Sequence, residues 1–308
     1  MSDIITVIST WINHPEVLKI HRDLWLQAFP GETVRYVAYI DAKDQGDFTN
    51  FNDATVKSQL IETCKNNSIE YVIVPQELHN TRNLVFNQCQ RMSDQTPSGR
   101  DALVCQYAWI VEVIIKKTSR IVLVQSDIFP YKCISWNSIT RGAEFYYRPQ
   151  ERTKDGLHID YAWEGLCLFD IKTWTDVLKM SIDFQHEWQK GVFTDTGGGL
   201  WKILEALPES KKYGWKPLTS LEWSTNNMMP NLPFWIEEHL RIDPRNKVDN
   251  DGTVWYYSEI FDESFFHLRA GGNWDNAGKE IHDVRYSNFI RLLTDAIKDG
   301  TVFLNSSI

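Results

Sequence analysis

Four short segments carry side chains that could do chemistry. The first is Gln125-Ser126-Asp127, which follows the apolar run 121–124 and precedes Ile128-Phe129-Pro130. A carboxylate at the end of a buried strand can hold a hard divalent cation, which in turn binds phosphate oxygens. Asp127 can equally cap the turn that follows. The second is Tyr161-Ala162-Trp163-Glu164-Gly165. Its glycine lets backbone approach a ligand closely, or permits an awkward turn with no ligand. The third, Thr194-Asp195-Thr196-Gly197-Gly198-Gly199, sets a carboxylate ahead of three glycines whose N–H groups could meet an anion. The plain alternative is a helix N-cap. The fourth is His267-Leu268-Arg269-Ala270-Gly271-Gly272-Asn273-Trp274. A histidine that follows two phenylalanines is ordinarily a satisfied core residue; the Arg, the glycine pair and the Trp beside it add a functional reading.

These segments need a scaffold. Residues 4–9 read as a buried, β-branched strand, and Pro15 opens a helix over 16–29 with Val17, Leu18, Leu24, Trp25 and Ala28 at helical spacing. A strand over 34–40 closes on Asp41, and a helix over 54–65 and a strand over 71–74 follow. Such a β-α-β-α-β series predicts a mostly parallel sheet with helices on its faces. A helix over 101–117 then feeds the apolar strand 120–124. In open α/β sheets ligands bind at the C-terminal edge, where Asp127 stands. Beyond it the pattern is less regular: strands at 145–147 and 166–169, helices at 174–180, 200–207 and 284–297. Residues 208–262 resist assignment and, as loops on a rigid frame, are expected to shape specificity. The expectation is one α/β domain over 1–308 whose C-terminal half carries the substrate loops.

Composition excludes several classes. The 308 residues carry 32 Lys and Arg against 41 Asp and Glu, a net charge of −9, which argues against a protein that coats nucleic acid. Hydrophobic residues at 43% and charged residues at 24% exclude a disordered chain. The aromatics are numerous, with 13 Trp, 12 Tyr and 15 Phe. Trp11, Trp136, Trp163, Trp223 and Trp274 lie in or beside polar segments, where they are either core or platforms for sugar rings. Five cysteines without a CxxC fit reduced thiols better than a zinc site or a disulfide framework. No basic n-region and no apolar run of ~18 residues appears, so neither a signal peptide nor a membrane span is expected, and the cytoplasm is the expected compartment. The glycines at 197–199 precede no Lys-Ser/Thr, and no GxGxxG follows a strand, which excludes a P-loop and a dinucleotide fingerprint.

The strand followed by an Asp-x-Asp-like motif, an apolar residue and Pro resembles the glycosyltransferases of the GT-A fold. Gln125 stands in place of the first Asp. The layout of His267, Gly271 and Trp274 is similar to the closing motif of the glycogenin and galactosyltransferase type, with Asn273 where Lys or Pro is usual. The resemblance implies a GT-A-like α/β fold, with a nucleotide-binding half (1–130) and an irregular acceptor and catalytic half (131–308), and a hexosyltransferase. It implies transfer of a sugar from a nucleotide-diphosphate donor to a hydroxyl of a glycan or glycosylated acceptor. It implies Mn2+ or Mg2+ held by Asp127 and His267, with Arg269 on the diphosphate. Donor-side residues would be Ser9, Thr10, Asp41, Arg100, Asp101, Gln125, Ser126, Gly165, Gly271 and Trp274. An inverting reaction would take Asp195, then Glu164, as base, whereas a retaining one needs no strong base. Two other readings stand beside it. A non-catalytic carbohydrate-binding protein is kept open by Gln125. A nucleotidyltransferase is disfavoured because Ser9-Thr10-Trp11-Ile12-Asn13 has neither Gly nor Lys.

Overall fold

The computed structural model describes residues 4–41, 55–75, 77–78, 97–189, 191–215, 217–220, 222–227, 231–271 and 278–304, with 97–101 and 217 described by backbone alone. The first half follows the predicted series. Strand β1 (Ile5–Trp11) is buried along its whole length. Helix α1 (Pro15–Gln27) starts on Pro15 and buries Val17, Leu18, His21, Leu24 and Trp25. Then come β2 (Val34–Ile40), α2 (Val56–Asn66), β3 (Glu70–Ile73), α3 (Pro97–Trp109) and β4 (Arg120–Gln125). The helix expected over 101–117 is α only to Trp109 and continues as a π-helical segment, Ile110–Ile115. There buried Glu112 meets Arg35 at 2.7 Å and Lys116 at 2.9 Å.

The second half is more regular than its sequence suggests. It contains β5 (Ile128–Pro130), α4 (Trp136–Thr140), β6 (Phe145–Lys154), β7 (Leu157–Asp170), α5 (Asp176–Met180), β8 (Trp188–Gln189), β9 (Val192–Phe193), α6 (Trp201–Ala206) and β10 (Lys212–Gly214). Then follow β11 (Pro217–Leu218), α7 (Phe234–Ile242), β12 (Lys247–Val248), β13 (Val254–Trp255), β14 (Glu259–Phe261), β15 (Phe265–His267) and α8 (Lys279–Asp299). The short strands expected at 145–147 and 166–169 are pieces of one long hairpin, β6–β7. Its turn is Asp155-Gly156, both at positive φ (52° and 78°), as a tight hairpin turn requires.

The main sheet has seven strands in the order β10-β6-β7-β4-β1-β2-β3. Four of its pairings are parallel and the two made by β7 are antiparallel. A second sheet, β11-β14-β15-β5, has antiparallel pairings. Strands β4 and β5 are joined by Ser126-Asp127 alone, so this turn is where the chain passes from one sheet to the other. Alternation along β4 splits its side chains: Val122 and Val124 pack with α1 and α2, and Ile121 and Leu123 with α3 and α6. A third core joins the second sheet to α7 and α8 through Phe129, Trp235, Phe266, Phe289 and Leu293. Trp11, Trp136 and Trp223 are buried core residues, so these three follow the packing reading.

The third core also holds a buried ionic group. Arg285 Nε donates to Asp243 Oδ2 at 2.8 Å, its Nη2 to Ser258 Oγ at 2.9 Å, and its Nη1 to the Arg269 carbonyl at 2.6 Å. His239 Nε2 lies 3.3 Å from the same Asp243 oxygen. Burial opposes the charge on Asp243, but His239 and Arg285 outweigh it and hold the carboxyl well below its ordinary 3.8. Asp243→Ala is expected to cost about 3–5 kcal/mol, because it leaves the Arg285 charge buried and uncompensated. A carboxyl pKa lowered by folding adds stability above its unfolded value and loses it as pH falls. The stability gap between wild type and variant is therefore expected to narrow below about pH 4, as read by denaturation across a pH series.

Candidate functional site

The β4–β5 turn brings Asp127 beside β15, where His267 pairs across from Ile128. The Leu268 N–H donates to the Asp127 carbonyl at 2.9 Å, and the Gly271 N–H to Asp127 Oδ2 at 3.0 Å. His267 Nε2 is 3.6 Å from Asp127 Oδ1. On its other side His267 Nδ1 is 2.7 Å from Glu259 Oε2, its register partner on β14. Glu259 Oε1 accepts from the Ser220 N–H at 3.0 Å and faces Arg148 Nη2 at 3.6 Å. The Arg148 guanidinium lies 4.9 Å above the Trp163 ring, and that ring is 5.3 Å from His267. The result is a buried series, Asp127–His267–Glu259–Arg148, of alternating charge.

The electrostatics follow from this order. Burial opposes the positive charge of His267, but Asp127 and Glu259 outweigh it and raise the imidazole above its ordinary 6.5. Burial opposes the charge of Glu259 too, yet Arg148 and His267 hold its carboxyl down at about 2. Glu259 is therefore an anion at neutral pH and accepts from Nδ1–H, which leaves Nε2, the nitrogen that would give up its proton to a cation, facing Asp127. Such a carboxylate–imidazole arrangement is how metal-ligating histidines are held. Two ligand atoms 3.6 Å apart, with a carboxylate behind the imidazole, fit a divalent cation whose remaining positions are filled by phosphate oxygens or water.

Two glycines are explained by packing. A Cβ on Gly271 would lie 2.7 Å from the Asp127 Cβ and 2.8 Å from the Leu268 carbonyl, so only glycine lets this turn close on Asp127. A Cβ on Gly165 would fall 2.1 Å from the Trp163 ring, so Gly165 seats that indole against its own strand. Three arginines, one of them the buried Arg285, gather around Tyr257 near the 269–271 turn. The guanidinium groups of Arg245, Arg269 and Arg285 lie 3.8, 4.8 and 5.2 Å from the centre of the Tyr257 ring. His14 Nε2 and His282 Nε2 are 3.2 Å apart, and burial, His14 and Arg285 push His282 down to about 4.

The remaining predicted residues are placed as follows. Ser9, Thr10 and Asp41 are buried at the end of β1 and β2. Thr10 sits beside Gln125 across the β1–β4 pairing, and the Asp41 N–H donates to the Trp11 carbonyl at 2.7 Å. Gln125 is half-buried at the end of β4, and Ser126 is half-buried in the turn itself. Glu164 is enclosed, with Gly197 packed against its carboxylate. Asp195 is partly exposed and lies 3.3 Å from Arg152 Nη2 and 3.4 Å from buried His186 Nε2. Burial opposes its charge, but His186 and the Thr196 N–H outweigh it and lower its carboxyl below the ordinary value. Arg100 and Asp101 are placed only by the backbone of α3, and their side chains, with all of Gly272, Asn273 and Trp274, lie outside the described residues. Sequence reading missed Arg148, Glu259, Arg245 and Tyr257. Glu259 carried no signal: the turn between β14 and β15, residues 262–264, uses Asp262 and Glu263 at positive φ rather than Gly.

The sequence matches no protein-family model, and no curated protein is similar to it in sequence. Several solved glycosyltransferases are similar to it in structure. Core-mannan synthase A from Aspergillus fumigatus, in its Mn/GDP form, aligns at 9% identity and TM-score 0.34 over 56% of this chain and 60% of its own. The galactosyltransferase LgtC, with donor and acceptor sugar analogues, aligns at 11% identity and TM-score 0.39 over 68% of this chain and 73% of its own. The bifunctional glycosyltransferase WbbM aligns at 10% identity and TM-score 0.38 over 77% of this chain and 44% of its own. This chain therefore spans less than two thirds of the length of the first and the last.

Gly271→Ala tests the closure of the site. The added methyl must displace backbone as well as Asp127, so a loss of about 1–3 kcal/mol is expected. It should appear as a melting temperature lowered by several degrees in calorimetry.

Proposed function

We propose that this chain is a glycosyltransferase that moves a sugar from a nucleotide-diphosphate donor to a hydroxyl of a glycan or glycosylated acceptor. The observation that carries the reading is the Asp127–His267 pair at the junction of the two sheets, backed by Glu259. In this reading Asp127 and His267 hold a divalent cation, Mn2+ or Mg2+. The cation, when bound, neutralises charge on the departing diphosphate. Glu259 holds the His267 tautomer, and Arg148 holds Glu259. Gly271 gives its N–H to Asp127 and brings the 269–271 turn onto the carboxylate. Arg269 presents a fork-shaped cation to phosphate oxygens, with its carbonyl anchored by Arg285. Asp195, partly exposed and kept ionised, is the base that takes the acceptor hydroxyl's proton in an inverting reaction. Enclosed Glu164 takes second place for that role.

A thermal-shift panel of UDP-, GDP-, CMP- and dTDP-sugars, each with and without Mn2+, tests this reading. One nucleotide sugar is expected to raise the melting temperature only with the metal. At ~100 times its dissociation constant it adds about 2.7 kcal/mol. Asp127→Ala should abolish the metal-dependent shift, and His267→Ala should weaken donor affinity about 10- to 100-fold. A nucleotide shift indifferent to Mn2+ would remove Asp127 from the role. A shift with free glycans and none with nucleotides would make the chain a sugar-binding module.

A further inference from the structure

We infer that His186 is the positioning residue of Asp195, and that the three glycines after Asp195 let its seat close. The role rests on the reading above, in which Asp195 takes the acceptor's proton. The carboxylate has an inner and an outer oxygen. Oδ1 accepts the Thr196 N–H at 2.9 Å and stands 3.4 Å from His186 Nε2. Oδ2 faces the exposed Arg152, 3.3 Å from its Nη2. In transfer the acceptor hydroxyl gives its proton to Oδ2 as its oxygen bonds the anomeric carbon. The electron pair of the broken C–O bond leaves with the diphosphate.

His186 is fully buried, with its ring parallel to that of Phe193 (8°, centres 5.6 Å apart). A carboxylate oxygen only accepts, so the nitrogen that faces Asp195 carries the proton. Nδ1 has no hydrogen-bond partner among the described residues, and a proton buried there would go unmet. The surroundings therefore favour the Nε2–H tautomer. Contacts between a base and its support are commonly long until substrate binds, and 3.4 Å leaves room to tighten. The backbone holds the two side chains together. The Thr194 N–H donates to the Glu187 carbonyl at 2.9 Å and the Glu187 N–H to Thr194 Oγ1 at 2.8 Å. The Gly197 and Gly199 N–H groups donate to the Phe184 and Gln185 carbonyls at 2.8 and 3.0 Å, so they are taken up in closing the seat rather than kept for an anion. A Cβ on Gly198 would fall 1.8 Å from Thr194 Oγ1, one on Gly199 would fall 2.5 Å from the Asp183 carbonyl, and Gly197 adopts a φ of 80°. Only glycines let segment 194–199 close on segment 183–187, with His186 and Asp195 caught between the bonds.

The test separates this role from packing and from the donor reading. His186→Phe keeps the ring stack and removes the N–H, whereas His186→Gln keeps an N–H and loses the ring. Turnover is read as release of nucleoside diphosphate, with water as acceptor, from the nucleotide sugar that gives the Mn2+-dependent shift. His186→Phe is expected to keep that shift, the melting temperature and the donor KM, while kcat falls about 10- to 100-fold. His186→Gln is expected to recover much of kcat at a lower melting temperature, and Asp195→Asn to lose more than either. A packing role would reverse the order of the two His186 variants and overturn the proposal. Independently of any nucleotide, nitrogen NMR of histidine-labelled protein is expected to find His186 in the Nε2–H form, its signals assigned by their loss in His186→Phe. No nucleotide response from any variant would remove the donor reading, and the role with it, while leaving that tautomer in place. Wild-type turnover in His186→Phe or Asp195→Asn, or a His186 ring protonated at Nδ1, would overturn the proposal with the donor reading intact.

Discussion

A buried ion pair survives only if every member has its counter-charge, and that requirement organises this molecule. Asp127, His267, Glu259 and Arg148 come from four different places: the β4–β5 turn, β15, β14 and β6. Removing any one leaves a neighbour charged in a low-dielectric interior, which costs far more than an exposed pair would. The series therefore ties the second sheet to the edge of the first. It also keeps the Nε2 face of His267 turned to the carboxylate that ends the central strand.

The same logic recurs behind the site. Arg285 joins Asp243, Ser258 and the Arg269 carbonyl, so α7 and α8 hold the backbone of the turn that carries Gly271. On the opposite side His21, fully buried and pushed down to about 3 chiefly by burial, sits in an aromatic group with Trp11, Trp25 and Tyr36. Trp25 Nε1 donates to the Ile128 carbonyl at 3.2 Å and steadies the other end of the Asp127 turn. The candidate site is thus a loop junction gripped by two polar networks within apolar cores. Preorganisation of this kind holds charged groups fixed without cost at the moment they are used.

Where the signal is local, the sequence is read well. The β1-α1-β2-α2-β3 series came from β-branched runs and helical spacing, and each element lies within two residues of its expected limits. Asp127, His267 and Gly271 stood out by type and position, and the fold brings these three into contact. The β6–β7 hairpin was missed although Asp155-Gly156 signals its turn, because Pro149 and the charged run after it mask the alternation. Glu259 was out of reach: it matters only through its register with His267, and the turn between them has no Gly, with Asp262 and Glu263 at positive φ.

The sequence by itself determined the layered α/β frame, the acidic surface, and a carboxylate at the end of the most apolar strand. Periodicity and composition act residue by residue along the chain, so they can be read there. Only the tertiary structure decided which charges are partners. Pairing Asp127 with His267, His267 with Glu259, and Glu259 with Arg148 depends on strand register and on how two sheets meet. Register is a long-range property, set by the packing of whole faces rather than by any local run of residues.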